Sequence, residues 1–260
     1  VDIEHSQWES TLAAMPGATR PAVRLGLNQI KGLKQASAQR IEAVRAQAPL
    51  RDVADLARRA RLDRHELDAL ADADALRALA GHRRQARWQA AGGVAARDLL
   101  RDAPILEGAA PALPALSEGQ SIVADYASTG LTLGRHPLAL LREELQGRRF
   151  ETASTLRGYP DRRLARACGI VTVRQRPQTA KGTIFVTLED ETGPINVVVH
   201  ADLMERQRRE LLAAVLLGVY GRWQKQDGIC NLVAQRLVDL TSLLRRLDGQ
   251  ALAARSRDFH

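Results

Sequence analysis

Arg174-Gln-Arg-Pro-Gln-Thr-Ala-Lys-Gly-Thr-Ile-Phe-Val-Thr-Leu-Glu-Asp-Glu-Thr-Gly193 decides the fold. Thr183, Phe185 and Thr187 alternate with Ile184, Val186 and Leu188. That period of two sends one set of side chains into a core and presents a ring and hydroxyls on the other face. The loop before this strand is basic, carrying Arg174, Arg176 and Lys181. A ring displayed beside cations is what a stacked base of single-stranded nucleic acid requires.

Working outward, Cys168 to Arg174 reads as a first strand, Ile195 to Val199 as a third, and Ala201 to Leu212 as a helix. Val215 to Trp223 and Ile229 to Val238 follow as strands, joined by Lys225-Gln-Asp-Gly228, whose Asp-Gly is a hairpin-turn signal. Three strands, a helix and two strands is the order of the OB-fold, a five-stranded β-barrel that binds oligonucleotides on strands two and three and the adjoining loops. The predicted single-strand contacts are Arg174, Arg176, Lys181, Phe185, Thr187, Arg222 and Lys225. The alternative for Phe185 is a ring covered by the helix or a linker.

The chain has 260 residues, enough for two or three domains, and a formal net charge of +8. A basic balance favours a polyanionic partner, although it also serves solubility. Cys168 and Cys230 both fall in predicted barrel strands; two thiols make no disulfide framework and read as reduced core residues. No apolar run has the length of a membrane span, and Val1-Asp-Ile-Glu-His5 does not resemble a signal peptide. The lack of an initial Met suggests an excised fragment of a cytoplasmic protein.

Pro104, Pro111 and Pro114, with Gly108 and Gly119, mark residues 103–120 as a linker. Before it, Ser37–Val44, Leu50–Arg59, His65–Leu70 and Gln85–Gln89 read as helices; after it, Ile122–Leu145 reads as a helical connector. The first half contains Gln29-Ile-Lys-Gly-Leu-Lys-Gln-Ala-Ser-Ala-Gln-Arg-Ile41, which resembles a helix-hairpin-helix motif. Lys31, Gly32, Leu33 and Lys34 are the predicted duplex DNA contacts, since Gly32 lets backbone approach a phosphate while helix amides and lysines supply donors. The competing reading is an ordinary two-helix turn with glycine at the bend. The predicted class is therefore α+β and multidomain: a helical helix-hairpin-helix region followed by a five-stranded OB-fold barrel.

Two motifs imitate catalytic sites. Asp72-Ala-Asp74 has the spacing of paired metal-binding acids, but such acids in a polymerase palm sit on strand positions whereas Leu67 to Leu76 reads as helical. Lys225-Gln-Asp-Gly228 matches the lysine signature of adenylating ligases but sits at a predicted hairpin tip. The six histidines are scattered, and there is no Gly-rich phosphate loop. No catalytic, metal-binding or cofactor-binding residue is assigned.

Several blocks resemble the C-terminal part of the error-prone bacterial C-family DNA polymerases, the translesion paralogues of the polymerase III alpha subunit. They are Glu4-His-Ser-Gln-Trp-Glu9, Ala22-Val-Arg-Leu-Gly-Leu-Asn-Gln-Ile-Lys-Gly-Leu33, Arg83-Arg-Gln-Ala-Arg-Trp88, Asp125-Tyr126 with Thr129-Gly-Leu-Thr-Leu-Gly-Arg-His-Pro137, Arg174 to Gly182, and Ser256-Arg-Asp-Phe-His260. The resemblance implies damage-induced lesion bypass and mutagenesis, with an inactive Y-family polymerase-like protein and a RecA-like protein as accessory partners. It places the Mg²⁺-binding palm carboxylates N-terminal to Val1, so this chain alone is expected to be inactive. It divides the chain into the end of the fingers (1–27), tandem helix-hairpin-helix elements (28–102), the linker (103–120), a connector (121–160), the OB domain (161–248) and a tail (249–260). The absence of a clamp-binding peptide implies indirect recruitment to the sliding clamp. The alternative for the barrel is a docking module for the accessory proteins.

Overall fold

The computed structural model describes residues 1–14, 17, 19–92, 111–177, 182–226 and 228–247, together with the backbone of 257–258. The chain divides into two compact units, Val1–Leu131 and Thr132–His260.

The first unit opens with a small antiparallel ribbon, β1 (Thr11–Ala13) and β2 (Ala22–Arg24), then a 3₁₀ turn at Leu27–Gln29. Helices α1 (Gln35–Gln47), α2 (Val53–Arg59), α3 (Arg64–Asp72), α4 (Arg77–Ala80) and α5 (Arg83–Gly92) follow, and α6 (Glu118–Ser128) completes the unit. The helices begin where the sequence supplies acceptors for open amides. Asp52 caps α2, and Asp63 with Glu66 forms a capping box on α3. Their apolar faces meet in one core through Ile3, Leu27, Ile41, Leu56, Leu67 and Leu70, with alanines such as Ala57, Ala86 and Ala90 allowing close approach. Arg83, 5% exposed, donates to the Ser121 carbonyl at 3.0 Å and to Asp125 at 2.5 Å, tying α5 to α6. The stretch read as a single connector from 121 to 160 is thus shared between the two units.

The second unit carries α7 (Pro137–Gly147), α8 (Ala153–Arg157) and a closed barrel of β3 (Leu164–Gln175), β4 (Ile184–Asp190), β5 (Gly193–Val199), β6 (Leu216–Gln226) and β7 (Ile229–Asp239). Around the barrel the order is β3-β4-β5-β7-β6 and back to β3, with β5 and β7 parallel. That is the OB-fold topology the element order predicts. Ile184, Val186, Leu188, Val197, Val219, Trp223 and Leu232 fill the interior. Two short helices, α9 (Ala201–Arg206) and α10 (Arg208–Ala213), close one end where a single helix was expected. The break is at Gln207, whose side-chain amide pairs with both the N–H and the carbonyl of Leu237, adding a rung to β7. Helix α11 (Thr241–Arg245) follows β7, and the two-residue strand β8 (Arg257–Asp258) lies parallel to β3.

Gly221 is required by close approach: at the bulge between Tyr220 and Gly221, an added Cβ would lie 2.2 Å from the Val233 carbonyl oxygen. Cys168 is buried, and burial pushes its thiol far above the ordinary value, leaving it unreactive. Cys230 is half-buried against the core.

Arg142 on α7 clamps the β4–β5 turn through two bonds to Glu191, the longer 2.7 Å, and lies 3.7 Å from buried Asp190. Asp190 accepts from the N–H groups of Ala153, Thr192 and Gly193. Burial is the largest influence on Glu191 and works to raise its pKa, but the Arg142 hydrogen bond, a backbone hydrogen bond and the Arg142 charge together outweigh it and hold the carboxyl below its ordinary 4.5. Folding therefore favours the ionised form: the contribution is present above about 4.5 and is lost as pH falls through the lower folded value. Thermal unfolding across pH 3 to 6 is expected to show an acid-side loss of stability that Glu191→Gln makes shallower. An acid limb of the same steepness in the variant contradicts the clamp.

Candidate nucleic-acid interface

Two surfaces carry the predicted contacts, one in each unit. In the first, Gly32 adopts φ +86, a left-handed conformation that glycine tolerates, and turns the chain from the 3₁₀ turn into α1. The first arm of the motif is therefore one 3₁₀ turn. Leu33 is buried and anchors the bend, whereas Lys31, Gly32 and Lys34 are exposed. Lys34 occupies the N-cap of α1 and offers no side-chain acceptor, so the first-turn amides lack the cap that Asp63 supplies to α3. An uncapped 13-residue helix with lysines at its start suits an anion.

Lys31 also has a structural role. Its backbone N–H donates to the Ser128 carbonyl, and its Nζ donates to the carbonyls of Tyr126 and Ala127 at 2.9 and 2.7 Å, neutralising the C-terminal end of α6. The sequence reading missed His65. This exposed side chain on the first turn of α3 comes so close to Gly32 that a Cβ there would lie 3.2 Å from its Nε2. Thirty-three residues separate the pair, and no local pattern announces the contact.

On the barrel, the register builds two adjoining rows across the outer face of β4, β5, β7 and β6. Phe185 pairs with Val198, Val198 with Val233, and Val233 with Arg222. One step along, Thr187 pairs with Asn196, Asn196 with Asn231, and Asn231 with Gln224. The inward neighbours Val186, Val197 and Leu232 are buried, which fixes both rows outward. Phe185 is 40% exposed, Asn196 is exposed and Asn231 is half-buried. An apolar row led by a ring therefore runs beside a row of hydroxyl and amides. One offers stacking and the other donors and acceptors, the pair of contacts by which proteins hold unstacked bases. Asn196 was visible in the sequence as a polar residue between Ile195 and Val197, a signal the reading passed over.

Arg222 and Lys225 are exposed on β6 and Arg176 is exposed just beyond β3, around this platform. Lys181 lies outside the described residues. Arg174 departs from expectation. It pairs with inward-facing Val186 rather than Phe185, whose partner is Gln175, and it is 8% exposed. Its guanidinium donates to the Leu211 carbonyl at 2.7 Å and the Ala214 carbonyl at 2.5 Å, where α10 leaves acceptors unpaired. Arg174 therefore closes the barrel end and is not on the open face.

The two imitative motifs have structural explanations. Asp72 ends α3 and pairs with Arg87 at 2.7 Å, while Asp74 has φ +56 and faces Arg77. Burial raises the pKa of both carboxyls. Lys225 immediately precedes the β6–β7 turn closed by the Gln226–Ile229 pair, with Gly228 at φ +80. Among the described residues, the one cluster with metal-ligand spacing is Asp2, Glu4 and His5, remote in sequence from these motifs.

The family described as "Helix-hairpin-helix motif" matches residues 1–86, and "OB-fold nucleic acid binding domain" matches residues 165–240. Over its whole length the chain is 67% identical to an error-prone DNA polymerase from Bordetella parapertussis, covering 25% of that protein. The corresponding enzymes of Ralstonia nicotianae and Burkholderia pseudomallei are 56% and 52% identical, again over 100% of this chain and 24% of theirs. The chain thus spans about a quarter of the length of the curated relatives it matches. Among solved structures, an asparaginyl-tRNA synthetase from Pyrococcus horikoshii complexed with asparaginyl-adenylate aligns over 35% of this chain and 22% of its own, with 17% identity and a TM-score of 0.31, a likeness on which nothing rests. By sequence the chain is similar over its whole length to the C-terminal quarter of bacterial error-prone DNA polymerases, and it consists of a helix-hairpin-helix region followed by an OB-fold domain.

Proposed function

We propose that this chain is the DNA-holding segment of an error-prone polymerase, gripping duplex phosphates with the Gly32 turn and single-stranded template with the barrel. The carrying observation is the paired rows on the outer barrel face, with Phe185, Val198 and Val233 beside Thr187, Asn196, Asn231 and Gln224. Arg176, Arg222 and Lys225 supply charge around them. The whole-chain likeness to error-prone polymerases supports extending this role to damage-induced lesion bypass in the bacterial cytoplasm, with accessory proteins and an indirect clamp contact. Nucleotidyl transfer, with its Mg²⁺, then belongs to a palm outside this chain. No helix among the described residues is long and apolar enough to cross a membrane.

The hairpin is tested through Lys34, which is exposed and caps nothing with its side chain. Lys34→Ala is expected to reduce the dependence of log K on log[salt] for duplex binding by about 0.9, equally for all sequences. Its thermal stability should stay near wild type. Lys31→Ala should lower the slope similarly and also lower stability, because it releases the end of α6. An unchanged slope in both variants contradicts a phosphate grip and leaves an ordinary two-helix turn.

A further inference from the structure

A second basic row crosses β3, β6 and β7 on residues the proposed single-strand site does not use. On the outer face of β3, β6 and β7, Arg166 pairs with Tyr220, and Tyr220 with Arg236. The ring therefore sits between two arginines contributed by the strands on either side. Their guanidinium carbons lie 4.9 and 5.4 Å from the ring centroid, within cation–π range. Phe150, 2% exposed, meets Tyr220 edge-on with centroids 5.5 Å apart and fixes it from below. Among the described residues neither Arg166 nor Arg236 has a carboxylate within ion-pair distance, unlike Arg142 and Arg83 in the same chain.

We infer that this Arg166–Tyr220–Arg236 row is a second DNA-binding surface, which takes the phosphate backbone of a duplex. Its guanidiniums keep their donors for a ligand while the ring restrains them, the arrangement that suits bidentate phosphate contact. The chemistry differs from that around Phe185. Phe150 is buried and Tyr220 is half-buried between the two arginines, so the row leaves no ring for a base to stack on. Contacts confined to phosphate carry no sequence preference and do not require unstacked bases. A duplex meets both conditions. This inference goes beyond the proposed function by assigning duplex contact to the barrel, and it rests on that reading only in requiring that the chain bind duplex DNA.

The test uses the full chain carrying Arg166→Gln and Arg236→Gln together, which keeps the side-chain stems against Tyr220 while removing both charges. Titrating a blunt duplex and an oligothymidine at several salt concentrations is expected to show the duplex slope reduced by about 1.8, two contacts at about 0.9 each. The oligothymidine slope should change by less than half as much, and thermal stability should remain near wild type. A duplex slope equal to wild type, or a loss confined to oligothymidine, overturns this inference while leaving the hairpin and Phe185 assignments standing. A wild-type chain that binds no duplex at low salt overturns both. If the double variant is destabilised, Arg236→Gln alone, at an exposed position, must still lower the duplex slope by about 0.9 for the surface to stand.

Discussion

Phe185→Ala is expected to weaken single-strand binding by roughly five- to hundredfold, the effect of losing one stacked base at about 1 to 3 kcal/mol. Duplex affinity should change little. The ring is 40% exposed and leads the row continued by Val198 and Val233, so its removal opens no interior cavity. Thermal stability should therefore hold. Unfolding of the barrel on this substitution shows that the ring is part of the core and that the platform is misassigned. Intact stability and single-strand affinity, with lost capture of an accessory protein, makes the same face a protein-docking surface instead.

Trp223→Ala is expected to do the reverse. Trp223 is 2% exposed inside the barrel, two residues beyond Gly221 of the bulge, and truncating such a side chain typically costs about 3 to 5 kcal/mol. Denaturant unfolding should show the barrel transition shifted to much lower concentration or lost, with single-strand binding lost alongside it. Its indole N–H has no hydrogen-bond partner among the described residues, so Trp223→Phe removes no internal hydrogen bond and should be far milder. Equal losses for Phe and Ala at this position contradict a role through packed volume.

The contrast between these two rings shows what the sequence made legible. Strand β4 is buried on one face and open on the other, so Ile184, Val186 and Leu188 declared the inside while Phe185 and Thr187 declared the outside. The Asp-Gly turn and the strand–helix–strand order then left one topology. Arg174 was unreadable for a physical reason. Much of β3 is buried on both faces, from Ala167 to Val171, and its pairing with β4 slips between Val171 and Val173, so alternation gives no side for residues beyond the slip. The ribbon β1–β2 was also missed: its strands are three residues long, and Leu12 and Val23 face solvent at 72% and 65% exposure.

Contacts distant in sequence were the other loss. Asp125 and Arg83 stood in separate blocks that resembled the polymerase family, yet only the fold shows that they bind each other. The same holds for Lys31 against α6 and His65 against Gly32. On the candidate platform, the exposure of Phe185, Arg176, Arg222 and Lys225 followed from local pattern and that of Arg174 did not, whereas the Asn196–Asn231 row required the parallel register of β5 and β7.

The central claim is that one chain holds duplex and single-stranded DNA on separate surfaces. It is tested most directly by titrating labelled single-stranded, duplex and primed-template DNA against the chain at several salt concentrations. All three should bind, the primed template most tightly because it engages both surfaces at once, with Phe185→Ala lowering the single-strand affinity and Lys34→Ala the duplex slope. Failure to bind any of the three at low salt, or a primed template bound no better than duplex while Phe185→Ala changes nothing, contradicts the account.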